Sequence, residues 1–545
     1  MPVDEGQRAA ATTENANLLV IAPPGCGKTE LLAMRADALI PRLQAHQKVL
    51  ALTFTNRSKA NLSNRLRTVL GEARYRRYVS VRNFHGHAAE IVLSHGRTIG
   101  LDPDRLAMPT TKTFGKAIAA LSDDKDDRDE AAQLLADIKR GARHDPEVLD
   151  LIRRSGNRLA ELVELARSAG DQLHYDDLLR HAQCLLRVDE VARLYQQHYG
   201  AVLVDEFQDL SLQQLDIALR TANTTRTFAG DPLQGIFSWA GAAPREVELQ
   251  LRDLADEPIH LNVSYRSSPA VLAMVNRIAQ PMGAVALRAY DPPAWPDGGA
   301  AAAFTFSAPE IEAQRVANFA ARVLAVAPEL SIGIVSRASW RRKEIDTQLA
   351  VLDVPRRHWD LDIEDPAIYE RIRVTVEASR RGATVDDARE AAIAATSPDD
   401  VDTLEQLNDA FDQLEAVGAP TARKALAQFR PAADDAAVGP GVHLLNAHTG
   451  KGQQFDWVVV VGLEEGHLPD KRCVEDPAKL TEEQRALLVM LSRARHGVIA
   501  TRVARQNGWY GPYAVQQSRW WDDLAAAATM TSAQLSAHLQ RMYPK

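Results

Sequence analysis

A glycine-rich segment near the start of the chain carries residue types that bind phosphate groups. It covers residues 22–29, APPGCGKT, and follows an apolar run at 18–21. Glycines let backbone N–H groups curl around phosphate oxygens, a lysine reaches the terminal phosphates, and a hydroxyl can hold Mg²⁺. The residues predicted to contact the nucleotide are Gly25, Cys26, Gly27, Lys28 and Thr29, with Thr29 also a ligand of Mg²⁺.

This segment departs from the strict phosphate-binding pattern, because Ala22 stands where that pattern begins with glycine. A glycine-rich turn that caps a helix is therefore an open alternative on this motif alone. Cys26 suggests redox chemistry, but a small buried residue in a tight loop is the preferred interpretation.

Paired carboxylates supply the second half of a phosphoryl-transfer site. The apolar run 201–205 ends at Asp205, and Glu206 follows directly. Asp205 is suited to support Mg²⁺, and Glu206 is suited to act as the base that orients the attacking water. The alternative is an acidic helix N-terminus, which the phosphate-binding segment earlier in the chain makes less favourable.

The elements that position these residues are predicted to alternate between strands and helices. Short apolar runs alternate with longer amphipathic stretches, which predicts parallel sheets wrapped by helices. The clearest strands are expected at 18–22, 49–54, 201–205, 226–229, 332–336 and 457–461. Each leads into polar or glycine-rich residues, so functional groups are expected at the carboxyl ends of the strands. Residues 91–172 and 355–437 lack this alternation, and they are predicted to be helical insertions.

Length and composition are those of an ordinary globular protein of three or four domains. The 545 residues are 46% hydrophobic and 25% charged, with a net charge of −8. Three widely spaced cysteines exclude a disulfide framework and a cysteine-based zinc site. The first residues lack the basic and apolar regions of a secretion signal, and the strongest apolar run, 457–463, is too short to span a bilayer. We expect a cytoplasmic protein that has no membrane partner.

Further motifs lie before, between and after these two, in a fixed order along the chain. They are Gln7, 52–57 (LTFTNR), 83–86 (NFHG), 229–239 (AGDPLQGIFSW), 262–267 (NVSYRS), 446–456 (NAHTGKGQQFD) and 491–495 (LSRAR). Each motif alone is weak, but their order resembles that of the superfamily 1 helicases of the UvrD/Rep/PcrA type.

This resemblance implies an α/β fold of two RecA-like parallel-sheet P-loop domains, each with a helical insertion, and Mg-ATP bound between the domains. The first domain is predicted at 1–90 and 173–265, with its insertion at 91–172, and the second at 266–354 and 438–545, with a reduced insertion at 355–437.

The resemblance also assigns roles in ATP hydrolysis. The catalytic residues it implies are Lys28, Glu206, Gln234, Arg266 and Arg493. Positive charge stabilises the developing γ-phosphate, so Arg266 and Arg493 are expected to serve the transition state, with Gln234 positioning water. Gln7 and Tyr265 are expected to hold adenine, and Gln454 stands where the family commonly has a glutamate near the ribose.

For DNA, the matching motifs supply both aromatic and polar side chains. The implied contacts are Phe54, Thr55, Asn56, Arg57, His85, Phe237, Trp239, His448 and Thr449. Aromatic rings stack on bases with little sequence preference, and Trp239 is the strongest candidate. Residues 57–82 contain eight Lys or Arg and one acid, Glu72. This segment is predicted to follow the phosphates, and the alternative is a solvated helix face.

The leading functional interpretation is an ATP-dependent 3′→5′ translocase and helicase on single-stranded or tailed duplex DNA, with the polarity implied by resemblance alone. The alternative is a DNA-stimulated ATPase subunit of an anti-phage complex of the Gabija type, which senses nucleic acid or regulates a partner nuclease or another defence or repair subunit. The short second insertion fits both, as does Ala240, which replaces an arginine usual in the family. A nucleotide-gated module without turnover conflicts with the intact catalytic set, and a small-molecule kinase leaves the strand-contacting motifs unexplained.

Overall fold

A computed structural model of the chain describes residues 5–106, 118, 121–122, 124–170, 172–223, 225–238, 241–359, 366–396, 401–416, 418–428, 438–449, 451–508 and 511–543. The chain divides into two compact units. The first unit comprises Met1–Ala22, Gly27–Pro232 and Phe237–Leu261, and the second comprises Pro23–Cys26, Leu233–Ile236 and Asn262–Lys545. The described residues include no helix that is both long and apolar enough to cross a bilayer.

The first unit is built on a parallel sheet of six strands. They are β1 (Asn17–Ile21), β2 (Lys48–Thr53), β3 (Val79–Asn83), β4 (Tyr199–Asp205), β5 (Arg226–Gly230) and β6 (Ile259–His260). Their order across the sheet is β3-β2-β4-β5-β1-β6. Every residue of β4 is buried, as in a central strand that is covered on both faces. Because β1 and β4 both flank β5 and run parallel, their carboxyl ends meet at one edge of the sheet.

Helices cover this sheet and also form a separate bundle. They are α1 (Glu5–Thr12), α2 (Lys28–Leu39), α3 (Asn56–Leu70), α4 (Glu72–Tyr78), α5 (Phe84–His95), α6 (Lys125–Lys139), α7 (Asp145–Ser155), α8 (Arg158–Ala169), α9 (Tyr175–Leu186), α10 (Asp189–His198), α11 (Leu212–Thr221) and α12 (Pro244–Leu254). Helices α6 to α8 share a small core of their own, which includes Leu135, Ile152 and Val163.

The second unit contains a second parallel sheet of six strands. They are β9 (Ala300–Phe306), β10 (Ser331–Ser336), β11 (Arg356–His358), β12 (Gly441–Asn446), β13 (Phe455–Val461) and β14 (Ala494–Val503), in the order β11-β12-β10-β13-β14-β9. Two short pairs accompany it, the parallel β7 (Val263–Ser264) with β8 (Arg288–Ala289) and the antiparallel β15 (Arg505–Gly508) with β16 (Gly511–Ala514).

The helices of the second unit follow the same pattern. They are α13 (Pro269–Ala279), α14 (Pro309–Val326), α15 (Lys343–Val351), α16 (Pro366–Ala378), α17 (Val385–Ala394), α18 (Val401–Ala416), α19 (Ala422–Leu426), α20 (Pro477–Leu491), α21 (Trp521–Ala527) and α22 (Ser532–Met542). Helices α16 to α19 bury a separate cluster that includes Ile372, Leu407 and Phe411.

The prediction of two parallel-sheet α/β units is confirmed, and strands lie at all six places where the sequence predicts them. The exact domain boundaries stay a prediction. Strand β11 falls within the range assigned to the second insertion, yet it joins the sheet by pairing with β12. Its three polar residues, Arg-Arg-His, give no apolar run that would reveal a strand.

A buried ion triad joins α14 to the loops after β10 and β13. Arg341 donates to Glu312 at 2.7 Å and to Glu464 at 2.8 Å, and all three side chains are almost fully buried.

A substitution of the central arginine tests the contribution of this triad to stability. We expect Arg341→Met to lower the free energy of unfolding by about 3–5 kcal/mol, because two carboxylates stay buried without their cation. Urea denaturation of the full chain measures the free energy of unfolding. Arg373→Met, which removes only exposed ion pairs, is the control, and equal losses in both variants would contradict the prediction.

Candidate active site

The glycine-rich segment lies between β1 and α2, as the sequence predicts. Gly25 and Gly27 have φ of 81° and 74°, in the left-handed region that favours glycine. A Cβ atom on Gly25 would lie 2.7 Å from the Cβ of Arg266 and from the Oγ of Ser264, so a larger residue is excluded there. Helix α2 begins at Lys28, and its unpaired N–H groups can face an anion.

Lys28 forms ion pairs with both predicted acidic residues of the first unit. Its Nζ lies 3.5 Å from Oδ1 of Asp205 and in closer contact with Oε2 of Glu206. Glu206 has φ of 57°, an uncommon conformation for a residue other than glycine. Gln208 donates to the Glu206 carboxylate at 2.6 Å and accepts from the N–H of Asp231 at 2.9 Å. The carboxylate of Glu206, the predicted base, is therefore held by Gln208, to which the sequence analysis assigns no role.

The charges of this cluster shift the pKa of its members. Burial disfavours the charged form of Lys28, but Glu206 and Asp205 outweigh it and raise the pKa of Lys28 to about 12. Burial raises the pKa of Asp205 to about 6, against the opposing effect of Lys28. At neutral pH both groups are thus charged, as phosphate and metal binding require.

The same residues suit a divalent cation. Oδ1 of Asp205 is buried and faces the Lys28 ammonium at 3.5 Å, so it is placed to bind a cation. Thr29 stands at the second position of α2, and hydroxyl and carboxylate oxygens are the ligands that Mg²⁺ prefers. The donor set of Thr29 and Asp205 therefore fits the predicted magnesium site.

In the second unit, the structure brings two predicted catalytic residues together. Arg493 is 2% exposed, and its Nη2 donates to Oε1 of Gln234 at 3.0 Å. Lys451 donates to the backbone oxygen of Gln234 at 2.7 Å. Sequence reasoning did not assign a role to Lys451, although it lies inside the motif 446–456.

The predicted adenine-binding and arginine residues at 265–266 also lie near the glycine-rich segment. The N–H of Tyr265 donates to the oxygen of Gly25 at 2.9 Å. The Tyr265 ring stacks on Tyr290, with 4.7 Å between ring centroids and 28° between planes. Tyr290 lies 25 residues further along the chain in a loop, so no local pattern could have revealed this pairing.

The remaining predicted nucleotide contacts differ in exposure. Gln7 on α1 is 2% exposed, and its Nε2 donates to the oxygen of Gly27 at 3.4 Å. Gln454 is exposed, whereas its neighbour Gln453 is buried. The prediction that Gln454 approaches the ribose stays a prediction.

Among the predicted DNA contacts of the first unit, Phe54 and Phe237 stack on each other, with centroids 6.1 Å apart and planes at 20°. Thr55 caps α3 by accepting from the N–H of Ser58 at 3.0 Å. His85 is partly exposed, and burial lowers its pKa to about 4. The side chains of Asn56 and Arg57, and the whole of Trp239, lie outside the described residues.

In the second unit, a tight turn after β12 carries the two remaining predicted DNA contacts. Oδ1 of Asn446 accepts from the N–H groups of His448 and Thr449, both at 2.9 Å. Burial, aided by the charge of Arg337, lowers the pKa of His448 to about 4, so the ring is neutral at pH 7. Asn446 thus fixes the turn that presents both side chains.

The basic segment 57–82 is less available to phosphates than its charge suggests. Seven of its eight cations have described side chains, and five of these pair with carboxylates, namely Arg65 with Glu30, Arg67 and Arg76 with Glu72, Arg74 with Asp37, and Arg82 with Glu90. Three of these acids lie outside the segment, so a count of charges within it overestimates the positive surface.

Comparisons with known proteins match most of the chain to one family. The family profile described as the UvrD/REP helicase N-terminal domain matches residues 3–254, and the UvrD-like helicase C-terminal domain matches residues 368–503. The chain is 24% identical to ATP-dependent DNA helicase UvrD1 of Mycobacterium tuberculosis, over 94% of this chain and 84% of the relative. It is 26% identical to UvrD2 of the same organism (96% and 81%) and 27% identical to Rep of Escherichia coli (51% and 43%). The chain therefore belongs to the UvrD/Rep family of superfamily 1 ATP-dependent DNA helicases.

Proposed function

We propose that the chain hydrolyses Mg-ATP to move 3′→5′ along single-stranded DNA and to displace the strand ahead of it. The observation that carries the proposal is the cluster of Lys28, Asp205 and Glu206 at the carboxyl edge of the first sheet, in which Asp205 is buried and the other two are partly buried. A lysine at a helix N-terminus beside two carboxylates can bind phosphates and activate water at one place.

Each residue of the cluster has a distinct role in this proposal. Lys28 exchanges its carboxylate partners for the terminal phosphates, and Glu206 accepts a proton from the attacking water. Thr29 and Asp205 would hold Mg²⁺, which neutralises phosphate charge when bound. In the second unit, Arg493 provides positive charge for the transition state, and its hydrogen bond to Gln234 keeps the guanidinium oriented.

The DNA substrate is supported by the relatives, which are named as DNA helicases and align with almost the whole chain. The stacked pair Phe54 and Phe237 adds a structural reason. Two aromatic rings from segments far apart in sequence lie together and partly exposed, and such rings can stack on bases of any sequence.

ATP turnover with and without single-stranded DNA, followed by displacement of a labelled strand, tests the proposal. Duplexes with a 3′ or a 5′ tail separate the two polarities. We expect strong stimulation by single strands and displacement only from the 3′-tailed duplex. Absence of turnover, or displacement only from the 5′-tailed duplex, would contradict the proposal.

A second candidate is a DNA-stimulated ATPase subunit that senses nucleic acid or regulates a partner nuclease in an anti-phage complex. It is favoured by the compact size of the chain. The alignment with UvrD1 extends over 668 positions against 545 residues here, so that relative contains segments that this chain lacks. Stimulated turnover without displacement, together with co-purification of a nuclease, would support this candidate over an autonomous motor.

A substitution of Trp239 tests the strongest DNA contact that the sequence predicts. We expect Trp239→Ala to remove most of the stimulation of ATP turnover by single-stranded DNA, about tenfold or more, because one base-stacking contact contributes about 1–3 kcal/mol. Turnover without DNA should stay close to that of the unaltered protein. The dependence of the ATPase rate on DNA concentration gives both values.

Trp295→Ala is the matched control for this variant. Trp295 is a partly buried tryptophan of the second unit that lies outside all the motifs and packs edge-on against His496. Its loss should leave DNA stimulation unchanged. If Trp239→Ala keeps full stimulation, the stacking role assigned to Trp239 is wrong.

A further inference from the structure

Helix α1 carries Gln7, which is predicted to recognise adenine, and the helix is buried along one face. Gln7, Ala10 and Ala11 are spaced as neighbours on one side of a helix, and all three are buried. At the Gln7 end, the side-chain amide contacts the oxygen of Gly27, the residue before α2. Because the helix has only eight residues, such tertiary contacts must hold it in place.

The other end of α1 is held by a single buried arginine. The last carbonyl groups of a helix have no partner within the helix and need donors from elsewhere. Arg35 donates to the oxygen of Ala11 at 3.2 Å, to that of Thr13, and to that of Asn15 at 2.9 Å. It is 1% exposed, and its Nε donates to Oγ1 of Thr227 on β5 at 3.3 Å.

Arg35 thereby joins three elements of the first unit. It lies on α2, the helix that begins at Lys28, and it binds both the last turn of α1 and the link from α1 to β1. A guanidinium has five donors in a rigid plane, whereas a lysine has one ammonium on a flexible stem. Only arginine can therefore hold these carbonyl groups and Thr227 at the same time.

From this arrangement we infer that Arg35 is a positioning residue for nucleotide selection, which holds α1 so that Gln7 can recognise adenine. The inference rests on the proposed ATPase function, since it assumes that Gln7 faces the base of a bound nucleotide. Arg35 acts through α1 and makes no contact of its own with the nucleotide. Without Arg35, α1 keeps its apolar contacts, but its last turn loses the hydrogen bond to Ala11 and the link to β1 loses those to Thr13 and Asn15, so the placement of Gln7 loosens.

Equilibrium binding of fluorescent ATP and GTP analogues to the full chain tests the inference without requiring turnover. We expect Arg35→Ala to weaken binding of the ATP analogue about tenfold, the effect of losing one well-placed hydrogen bond, and to leave binding of the GTP analogue nearly unchanged. Steady-state kinetics should show the same split, with a raised KM for ATP and kcat within about twofold.

The matched control is Arg423→Ala. Arg423 also binds carbonyl groups at the end of a helix, those of Val376, Glu377 and Ser379 after and within α16, but that helix carries no predicted nucleotide contact. Its loss should leave the preference for ATP over GTP intact. Equal loss of preference in both variants would overturn the inference.

A double variant separates positioning from general loosening of the fold. If Arg35 acts through Gln7, then Gln7→Ala combined with Arg35→Ala should show the same preference for ATP as Gln7→Ala alone. Additive losses would overturn the inference. Where Arg35→Ala fails to fold, Arg35→Lys serves in its place, with an intermediate preference expected and an unchanged one contradicting the inference. Absence of hydrolysis by the unaltered protein would contradict the proposed function, while the binding measurement would still decide the role of Arg35.

Discussion

Replacing Lys28 with alanine should abolish measurable ATP turnover, a loss of about 100-fold or more. Lys28 is the first residue of α2 and the cation that faces Asp205 and Glu206. With Lys28 removed, the terminal phosphates lose their ammonium partner and meet two carboxylates instead. We therefore expect weaker ATP binding as well as slower hydrolysis.

Phosphate release at saturating ATP and titration with a fluorescent ATP analogue measure the two effects of Lys28→Ala separately. Lys343→Ala is a suitable control, because Lys343 is an exposed lysine at the first position of α15, a helix without predicted catalytic residues. It should keep full turnover. Normal turnover in Lys28→Ala would show that the segment 22–29 is only a helix-capping turn, the alternative that its sequence left open.

The sequence was sufficient for the parts of the molecule that depend on neighbours along the chain. The apolar strands β1 and β4, the glycines of the segment 22–29 and the paired acids all follow local rules of burial and backbone freedom. The sequence predicts functional groups at the carboxyl ends of the strands, and the observed strand order brings the ends of β1 and β4, with Lys28 and Asp205, to one edge.

Contacts between distant segments could not be predicted in this way. Tyr290 under Tyr265, Lys451 beside Gln234, and Arg35 at the end of α1 each depend on how the chain returns to one place. A single sequence carries no local signal for such pairs.

The ion pairs of the basic segment also depend on distant parts of the chain. A count of the charged residues within segment 57–82 alone predicts a surface that binds DNA phosphates. Its ion pairs with Glu30, Asp37 and Glu90 come from other elements. Only the folded structure shows that much of this charge is already compensated, so nucleic-acid binding is better argued from the aromatic pair of Phe54 and Phe237.

Glu206→Gln should separate ATP binding from hydrolysis. The substitution keeps the size and hydrogen-bonding reach of the side chain but removes the carboxylate that we propose accepts a proton from water, and general-base catalysis typically contributes 10²–10⁴-fold to a rate. We expect turnover to fall by about that factor, while binding of an ATP analogue stays within a few-fold of the unaltered protein. The contrast with Lys28→Ala, which should lose both, is the measurement that assigns the two roles.

The contacts around Glu206 explain why Glu206→Gln, unlike Lys28→Ala, should leave ATP binding nearly unchanged. Gln208 donates to the Glu206 carboxylate, and a glutamine at position 206 can still accept that hydrogen bond through its amide oxygen. Lys28 keeps Asp205 as its partner. Glu90→Gln, which removes an exposed carboxylate of the same unit, should leave turnover unchanged. If Glu206→Gln weakens nucleotide binding as much as Lys28→Ala does, Glu206 holds the loop rather than activating water, because a general base contributes to the chemical step and not to the affinity for ATP.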